Sequence, residues 1–247
     1  MTGADAVMLP DAGMLPDAAV VLAGGRGSRL GGRDKPALLI GDRSLLDIAL
    51  LAVAGCPVVV VGPTRPLPVG LLSAHEVPPG SGPAAAVAAG WLALPELPAT
   101  AIIAVLAADL PGITRATVAR LCAALSDAAV SDASGSDAAV SDASGSDASG
   151  SGAAVSGAAG SRASGSGAAT GVDLPRGAVL VDAGGHRQYL IGVWRHGALG
   201  AAITRQRQWA GASLRRLLAP IDVLEVPALG RETADVDTPD DWRQWQA

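Results

Sequence analysis

The chain has 247 residues, of which 49% are hydrophobic, 32 are glycine and none is phenylalanine. This length suffices for one large domain or two small ones, with a substantial core that needs no disulfide or metal staple. The formal net charge of −5 and the lack of a basic block argue against a nucleic-acid partner.

Cysteine usage and apolar runs bear on the cellular compartment. Cys56 and Cys122 are too few and too far apart to indicate a disulfide framework or a zinc site, which favours a reducing compartment. Residues 1–19 hold no Lys or Arg, unlike the start of a secretory signal. The longest apolar stretch, 48–61, is interrupted by glycine and proline and is too short for a bilayer. We therefore expect a cytoplasmic protein with no membrane partner.

Two segments of low complexity stand apart from the rest of the chain. Residues 1–17 carry a repeated Met-Leu-Pro-Asp-Ala and are predicted to form a flexible tail. Residues 126–170 begin with two copies of Ser-Asp-Ala-Ala-Val-Ser-Asp-Ala-Ser-Gly and continue as Ser, Gly and Ala. Bulky apolar residues are too rare there to offset the ordering entropy, so we predict a disordered, exposed insertion rather than a solenoid. Residues 18–125 and 171–247 then form one domain.

Apolar runs alternate with helical periodicity along this domain. Strands are predicted at 18–22, 57–61, 101–107, 178–181, 189–194 and 221–226, and helices at 44–54, 84–94, 114–125, 213–218 and from Pro239 onward. The alternation indicates an α/β fold with a doubly wound, mostly parallel, Rossmann-like sheet. Ligands of such sheets bind at the carboxyl ends of the strands, which is where Gly24 and Asp109 fall.

A stretch with five glycines and four basic residues, 22–35, follows the first predicted strand. Glycine lets backbone N–H groups approach a polyphosphate, and the cations offset its charge. Because Pro36 follows Lys35, the Walker spacing fails, and the dinucleotide fingerprint does not fit either. A mobile glycine-rich hairpin is the alternative interpretation. Lys35 is the single lysine of the chain, and its compact ammonium suits a point contact with a phosphate oxygen.

The sequence Leu-Ala-Gly-Gly-Arg-Gly-Ser-Arg at 22–29, followed by Asp-Lys-Pro at 34–36, resembles the signature of the molybdenum cofactor guanylyltransferases. This family lies within the GT-A-like nucleotidyltransferases, and the resemblance covers most of the chain outside the tail and the insertion. It implies a magnesium-dependent enzyme that binds GTP, with Lys35 and Arg26 as catalytic residues. The nucleotide contacts that it implies in this stretch are Leu22, Ala23, Gly24, Gly25, Arg29 and Lys35.

Two further motifs concern the metal. Residues 105–113 match the family's strand ending in Ala-Asp-x-Pro, which implies that Asp109 is catalytic and binds Mg²⁺ and the nucleotide. From the residues alone, a carboxylate after a buried strand is costly unless it meets a cation, and a turn or N-cap aspartate is the alternative. Residues 235–241 match the family's Asn-x-Asn-Thr-Pro-Glu-Asp ending, with aspartate at both asparagine positions. Asp237 then either completes the magnesium shell or faces the acceptor, while Thr238 caps a helix.

Residues 75–83 are similar to the family's acidic-x-Pro-Pro-Gly-Gly-Gly-Pro segment, which closes over the purine. The nucleotide-binding aspartate of the family aligns with Val77, and Glu76 stands one place before it. Glu76 either accepts hydrogen bonds from guanine or is a solvated loop charge. Gly82 is the further nucleotide contact that the resemblance implies here, and the family's asparagine after the second strand is replaced near Gly62.

Residues 184–196 resemble the segment that faces the acceptor in the family. Arg187, Gln188 and Arg195 are expected to contact a pterin or its phosphate, or else to be exposed strand positions. His186 and His196 have no ligand-like spacing, so no metal is assigned to them.

The resemblance implies a nucleotide-binding part, 18–125, and an acceptor-binding part, 171–247. It also implies transfer of GMP from GTP to the phosphate of molybdopterin with release of pyrophosphate. The alternatives are another phosphorylated acceptor, the use of CTP, or a nucleotide-binding regulator without turnover. We expect a monomer or a weak oligomer.

Overall fold

The structure is a computed structural model that describes residues 13–24, 30–135 and 176–246, without the side chains of 129–135. Its strands are β1 (Ala18–Leu22), β2 (Leu39–Ile40), β3 (Arg43–Ser44), β4 (Val58–Val61), β5 (Leu72–Ala74), β6 (Ile102–Ala107), β7 (Gly177–Val181), β8 (Arg187–Arg195) and β9 (Val223–Pro227). Its α-helices are α1 (Leu45–Ala52), α2 (Pro83–Leu92), α3 (Arg115–Gly135), α4 (His196–Thr204), α5 (Leu214–Leu218) and α6 (Pro239–Gln244). A 3-10 turn spans Lys35–Ala37.

Seven strands form one sheet in the order β5-β4-β1-β6-β8-β7-β9. β1 is parallel to both β4 and β6, and all five of its residues are buried, as expected of a central strand covered on both faces. β8 runs antiparallel to β6 and to β7. The prediction of a mostly parallel sheet is confirmed, with β8 as the reversed strand.

Helices cover the sheet on both sides, which confirms the doubly wound prediction. Val21 packs into a core cluster with Leu121 of α3, whereas Val20 packs into a second cluster with Val87 of α2 and Leu217 of α5. Because successive residues of a strand point to opposite faces, one apolar run serves both layers. Each fully buried Val or Leu side chain contributes roughly 1.5–3 kcal/mol.

Some element boundaries differ from the sequence predictions. α3 ends at Gly135 rather than at residue 125, so the first decapeptide repeat, predicted to be disordered, is helical. Alanine, which has the highest helix propensity, occupies three of the ten positions 126–135. Serine, which is only weakly unfavourable in a helix, occupies three more. Residues 136–170 of the predicted insertion lie outside the described residues.

The end of the predicted tail is also attached to the domain. Asp17 Oδ2 accepts a hydrogen bond from Ile102 N at 2.7 Å, and Asp17 N donates to Ile102 O at 2.8 Å. Residues 1–12 lie outside the described residues. Within the described part of the chain, none of the helices has the length and apolar character needed to cross a membrane.

Candidate functional site

A cleft of about 770 Å³ opens where β1, β4 and β6 end, within the size range of small-molecule sites. The residues of the sequence prediction that line it are Leu22, Gly24, Lys35, Glu76, Gly82 and Asp109. They come from four separate stretches of the chain, and the parallel strands bring them to one edge of the sheet. The predicted contacts Gly25, Arg26 and Arg29 lie outside the described residues.

Lys35 lies at the centre of a charged cluster in this cleft. Its Nζ donates to Asp109 Oδ2 at 2.7 Å and to Asp237 Oδ1 at 2.5 Å. The side chain is only 12% exposed. Burial opposes its protonation, but the carboxylates of Asp109 and Asp237 outweigh this effect, so the pKa of Lys35 is raised above its ordinary value. The lysine therefore carries a full positive charge at neutral pH.

A third carboxylate, that of Asp235, lies beside the two that bind this ammonium group. One oxygen each of Asp109, Asp235 and Asp237 lies within 4.8 Å of the others. Val236, which is fully buried, donates its N–H to Asp109 O at 3.1 Å and so holds the two flanking aspartates next to β6. Desolvation, followed by repulsion from Asp237 and Asp109, raises the pKa of Asp235. An all-oxygen donor set of this kind fits a hard divalent cation such as Mg²⁺.

Asp235 had no role in the sequence prediction. Two features of the sequence could have predicted that Asp235 joins the cluster. It lies two residues before Asp237, and both residues replace asparagines of the family motif.

The segment that carries Asp237 is fixed by the start of α6. Thr238 Oγ1 accepts from Asp241 N at 3.2 Å, and Asp241 Oδ2 accepts from Thr238 N at 2.8 Å, which forms a capping box. Asp241 Oδ2 also accepts from Asp237 N at 3.2 Å. These bonds lower the pKa of Asp241, those with Thr238 being the strongest cause. The predicted cap is thus present, and it adjoins the cluster directly.

The loop before α2 forms the opposite wall of the cleft. Glu76 Oε1 accepts from Gly80 N at 3.2 Å, and His75 Nδ1 lies 2.5 Å from Gly62 O. Val77, at the position of the family's aspartate, lines the cleft and is 88% exposed. Glu76 is therefore bonded within its own loop and also lines the cleft, and its contact with guanine stays a prediction.

The residues predicted to contact an acceptor fall at the two ends of β8. Arg187 Nε donates to Glu225 Oε1 at 2.6 Å, and Gln188 Nε2 donates to Asp182 Oδ2 at 2.8 Å. Both lie at the end of β8 that faces the cleft edge of the sheet.

Arg195 lies at the other end of β8, roughly 26 Å along a strand of this length, and donates to Thr100 O at 2.9 Å. The expectation that Arg195 contacts the acceptor is wrong, because β8 runs from the cleft edge of the sheet to the opposite edge, where Arg195 pairs with Ile102 at the start of β6. His196 stacks on Trp91 with ring centroids 5.2 Å apart.

A doubly wound sheet with a cleft at its strand ends, a largely buried lysine and converging carboxylates is typical of α/β proteins that bind nucleotides. The chain belongs to the family of MobA-like NTP transferase domains, whose family model matches residues 19–225. This finding confirms the resemblance drawn from the motifs.

A relative of known name agrees with this membership. A molybdenum cofactor guanylyltransferase from Bradyrhizobium sp. (strain ORS 278) is 39% identical over 113 residues, which cover 42% of this chain and 53% of that protein. The match thus spans about half the length of this relative.

Two solved structures share the fold. One is the molybdopterin-guanine dinucleotide biosynthesis protein A from Archaeoglobus fulgidus, with a TM-score of 0.57, 13% identity and coverage of 93% and 96% of the two chains. The other is a 2-C-methyl-D-erythritol 4-phosphate cytidylyltransferase from Thermus thermophilus, with a TM-score of 0.55, 16% identity and coverage of 94% and 98%.

Proposed function

We propose that the chain transfers GMP from GTP to the phosphate of molybdopterin and releases pyrophosphate. The observation that carries the proposal is the Lys35–Asp109–Asp237 cluster, whose Lys35 and Asp109 line the same cleft as Gly24, two residues after β1. The choice of GTP and molybdopterin is supported by the motifs and by the partial match to a relative named for that activity.

The reaction needs positioning and charge neutralisation more than proton transfer. An oxygen of the acceptor phosphate is already anionic, so it forms the new bond to the α-phosphorus of GTP without a general base. The bond from the α-phosphorus to the bridging oxygen breaks, and pyrophosphate leaves with the electron pair. Lys35 and the backbone N–H of Gly24, which lines the cleft just after β1, would stabilise the negative charge of the phosphates.

Asp109 and Asp237, with Asp235 beside them, would hold the divalent cation. When bound, Mg²⁺ supplies additional positive charge to the nucleotide oxygens. The ammonium of Lys35 contacts the carboxylates of Asp109 and Asp237, so it lies next to the oxygens that would bind the cation.

Recognition of the base is assigned to Glu76 at the cleft wall. A carboxylate accepts hydrogen bonds from the N1–H and amino group of guanine, which cytosine cannot match in the same geometry. The exposed apolar Val77 beside it favours CTP as the second candidate, since the family's acidic residue is missing at that position.

A panel of nucleotides and acceptors tests the proposal. The purified protein is incubated with Mg²⁺, one of GTP, CTP, ATP or UTP, and either molybdopterin or other phosphorylated acceptors. Pyrophosphate release and product mass are then measured. We expect a guanine dinucleotide product from GTP and molybdopterin, and turnover with CTP or another acceptor alone would replace this assignment.

Variants tie the activity to the cleft. Lys35→Ala and Asp109→Asn are expected to lose about 10²–10³-fold in kcat, the range of a removed electrostatic contact in an active site. Glu96→Gln removes an exposed carboxylate in the loop before β6, at the opposite edge of the sheet, and is expected to retain activity. Wild-type turnover in either cleft variant would contradict the proposed site.

A further inference from the structure

Arg65, in the loop after β4, links two separate parts of the glycine-rich segment. Its Nη2 donates to Ala23 O at 2.8 Å, at the end of β1. Its Nη1 and Nη2 also donate to the carboxylate of Asp34, at 3.2 Å and 3.3 Å. One guanidinium thus joins the residue that follows β1 to the residue immediately before Lys35.

Asp34 uses its side chain in an unusual way. It occupies the N-cap position of the 3-10 turn Lys35–Ala37, yet its side chain makes no cap hydrogen bond. Aspartate at a helix start ordinarily accepts from the backbone of the following turn. Here the carboxylate faces Arg65 instead, so its position serves a contact across the loop rather than the turn that it precedes.

The surroundings hold Arg65 and Ala23 in place. The side chain of Arg65 is 11% exposed, so its guanidinium is largely withdrawn from water. A charge in that position is stabilised mainly by a paired, fork-shaped contact with a carboxylate. Ala23 N donates to Val61 O at 2.7 Å, so the N–H of Ala23 is held by β4 while its carbonyl is held by Arg65.

We propose that Arg65 and Asp34 form a clasp that positions Lys35 for the phosphates of the nucleotide. The clasp holds Ala23, which precedes Gly24, and Asp34, which precedes Lys35, on one guanidinium group. Gly24 and Lys35 both line the cleft. Arg65 is then a positioning residue whose effect on turnover passes through Lys35. This inference rests on the proposed function for its kinetic consequence but not for the contact itself.

A double-mutant cycle tests the coupling. Arg65→Gln and Asp34→Asn are each expected to lower kcat about 10–100-fold, as displacements near 1 Å do in active sites. The kcat of the double variant is expected to be no lower than that of the less active single variant, because the Arg65–Asp34 contact is already lost in each single variant. Additive losses, or a change confined to KM, would overturn the clasp.

The fork geometry supplies a second kinetic readout. Arg65→Lys keeps the charge but replaces the planar fork with a single ammonium nitrogen, which cannot reproduce the paired contact with both oxygens of Asp34 alongside the bond to Ala23 O. It is therefore expected to resemble Arg65→Gln rather than wild type. Full activity in Arg65→Lys would overturn the proposal. Arg195→Gln is the matched control, because it also removes an arginine bonded to a backbone carbonyl, but at the far edge of the sheet. It is expected to leave kcat unchanged.

Hydrogen exchange without nucleotide separates the clasp from the enzymatic assignment. In Arg65→Gln, amides of residues 30–38 are expected to exchange at least tenfold faster than in wild type, while those of β6 stay unchanged. Arg195→Gln is expected to leave residues 30–38 protected. Unchanged exchange in Arg65→Gln would overturn the clasp even if GTP turnover is found. Faster exchange in a protein without any nucleotidyl transfer would refute the proposed function alone.

Discussion

Lys35 shows what single residues reveal and what they conceal. Its uniqueness and its place in a glycine-rich stretch predicted a phosphate contact from sequence. Its observed partners, Asp109 and Asp237, lie 74 and 202 residues away along the chain, and no local pattern encodes such pairs. Only the sheet, by bringing strand ends to one edge, makes these three residues neighbours.

Because Asp109 and Asp237 bind Lys35 and also belong to the candidate metal site, we expect Lys35 and a divalent cation to compete for their carboxylates. Lys35→Met removes the ammonium at similar volume and leaves Asp109, Asp235 and Asp237 to repel one another within 4.8 Å. We expect a lower melting temperature in EDTA and a larger rise in melting temperature on adding Mg²⁺ than in wild type. Thermal scans with and without Mg²⁺ measure this. An identical response to Mg²⁺ in the two proteins would show that Lys35 and the cation do not share ligands.

Gly62 lies where this chain lacks the asparagine of the family motif, and the structure shows a physical reason for glycine at this position. Its φ is +152°, and an added Cβ would lie 2.6 Å from Ala23 O. The end of β4 therefore approaches the end of β1 more closely than any side chain permits. Asparagine, which the family carries near this position, would not fit this backbone without a shift.

Gly62→Ala is expected to destabilise the protein by roughly 1–3 kcal/mol and to weaken nucleotide binding, because Ala23 and Gly24 must move. Denaturant unfolding and titration with GTP check the two effects. The control is Gly41→Ala, which has φ +61° but no atom within 4 Å of the added Cβ. It should cost stability alone. If Gly62→Ala binds GTP as wild type does, the close contact has no role in the cleft.

At the scale of elements, apolar periodicity located the strands but not all of their directions. β8 and β6 are both apolar runs, and nothing in either run shows that they pair antiparallel. α4 went unpredicted because its sequence contains Gly197 and Gly200, which have low helix propensity. Gly200 packs against Trp91, where an added Cβ would lie 2.4 Å from the ring, so tertiary packing outweighs propensity there.

The cap of α6 is an element whose loss is expected to reach the cluster. Thr238→Ala removes the side-chain acceptor for Asp241 N and should cost about 1 kcal/mol. Because Asp241 also bonds Asp237 N, we expect the variant to need more Mg²⁺ for half-maximal turnover. Thr238→Ser keeps the hydroxyl and should behave as wild type. An unchanged Mg²⁺ requirement in Thr238→Ala would separate the helix cap from the metal site.

At the scale of the whole molecule, a half-buried ion pair joins the two halves of the chain. Arg120 of α3 donates to Glu232 Oε2 at 2.7 Å, and Thr117 Oγ1 donates to Glu232 Oε1 at 2.6 Å. Glu232 lies three residues before Asp235, so this contact anchors the segment that delivers Asp235 and Asp237 to the cleft. The sequence offered no sign of it, since the partners are 112 residues apart.

The pKa of Glu232 gives this anchor a pH dependence. Burial alone would raise the pKa, but hydrogen bonds from Arg120, Thr117 and Leu229 outweigh it, so the pKa is lowered. A carboxylate with a depressed folded-state pKa stabilises the protein above the pKa of the unfolded chain, about 4.3 for Glu. That stabilisation is lost as the pH falls through the lower folded-state value.

Glu232→Gln should therefore lower the free energy of unfolding at pH 7 by about 2–3 kcal/mol, somewhat below the cost of breaking a fully buried pair. The difference from wild type should begin to narrow as the pH falls below about 5, because the carboxylate of the unfolded wild-type chain then binds a proton while the folded one still resists it. Denaturant unfolding at several pH values measures it. The control is Glu225→Gln, which breaks the exposed pair with Arg187 and should cost at most about 1 kcal/mol. A deficit in Glu232→Gln that stays constant from pH 7 to pH 3 would show that its cause is packing rather than charge.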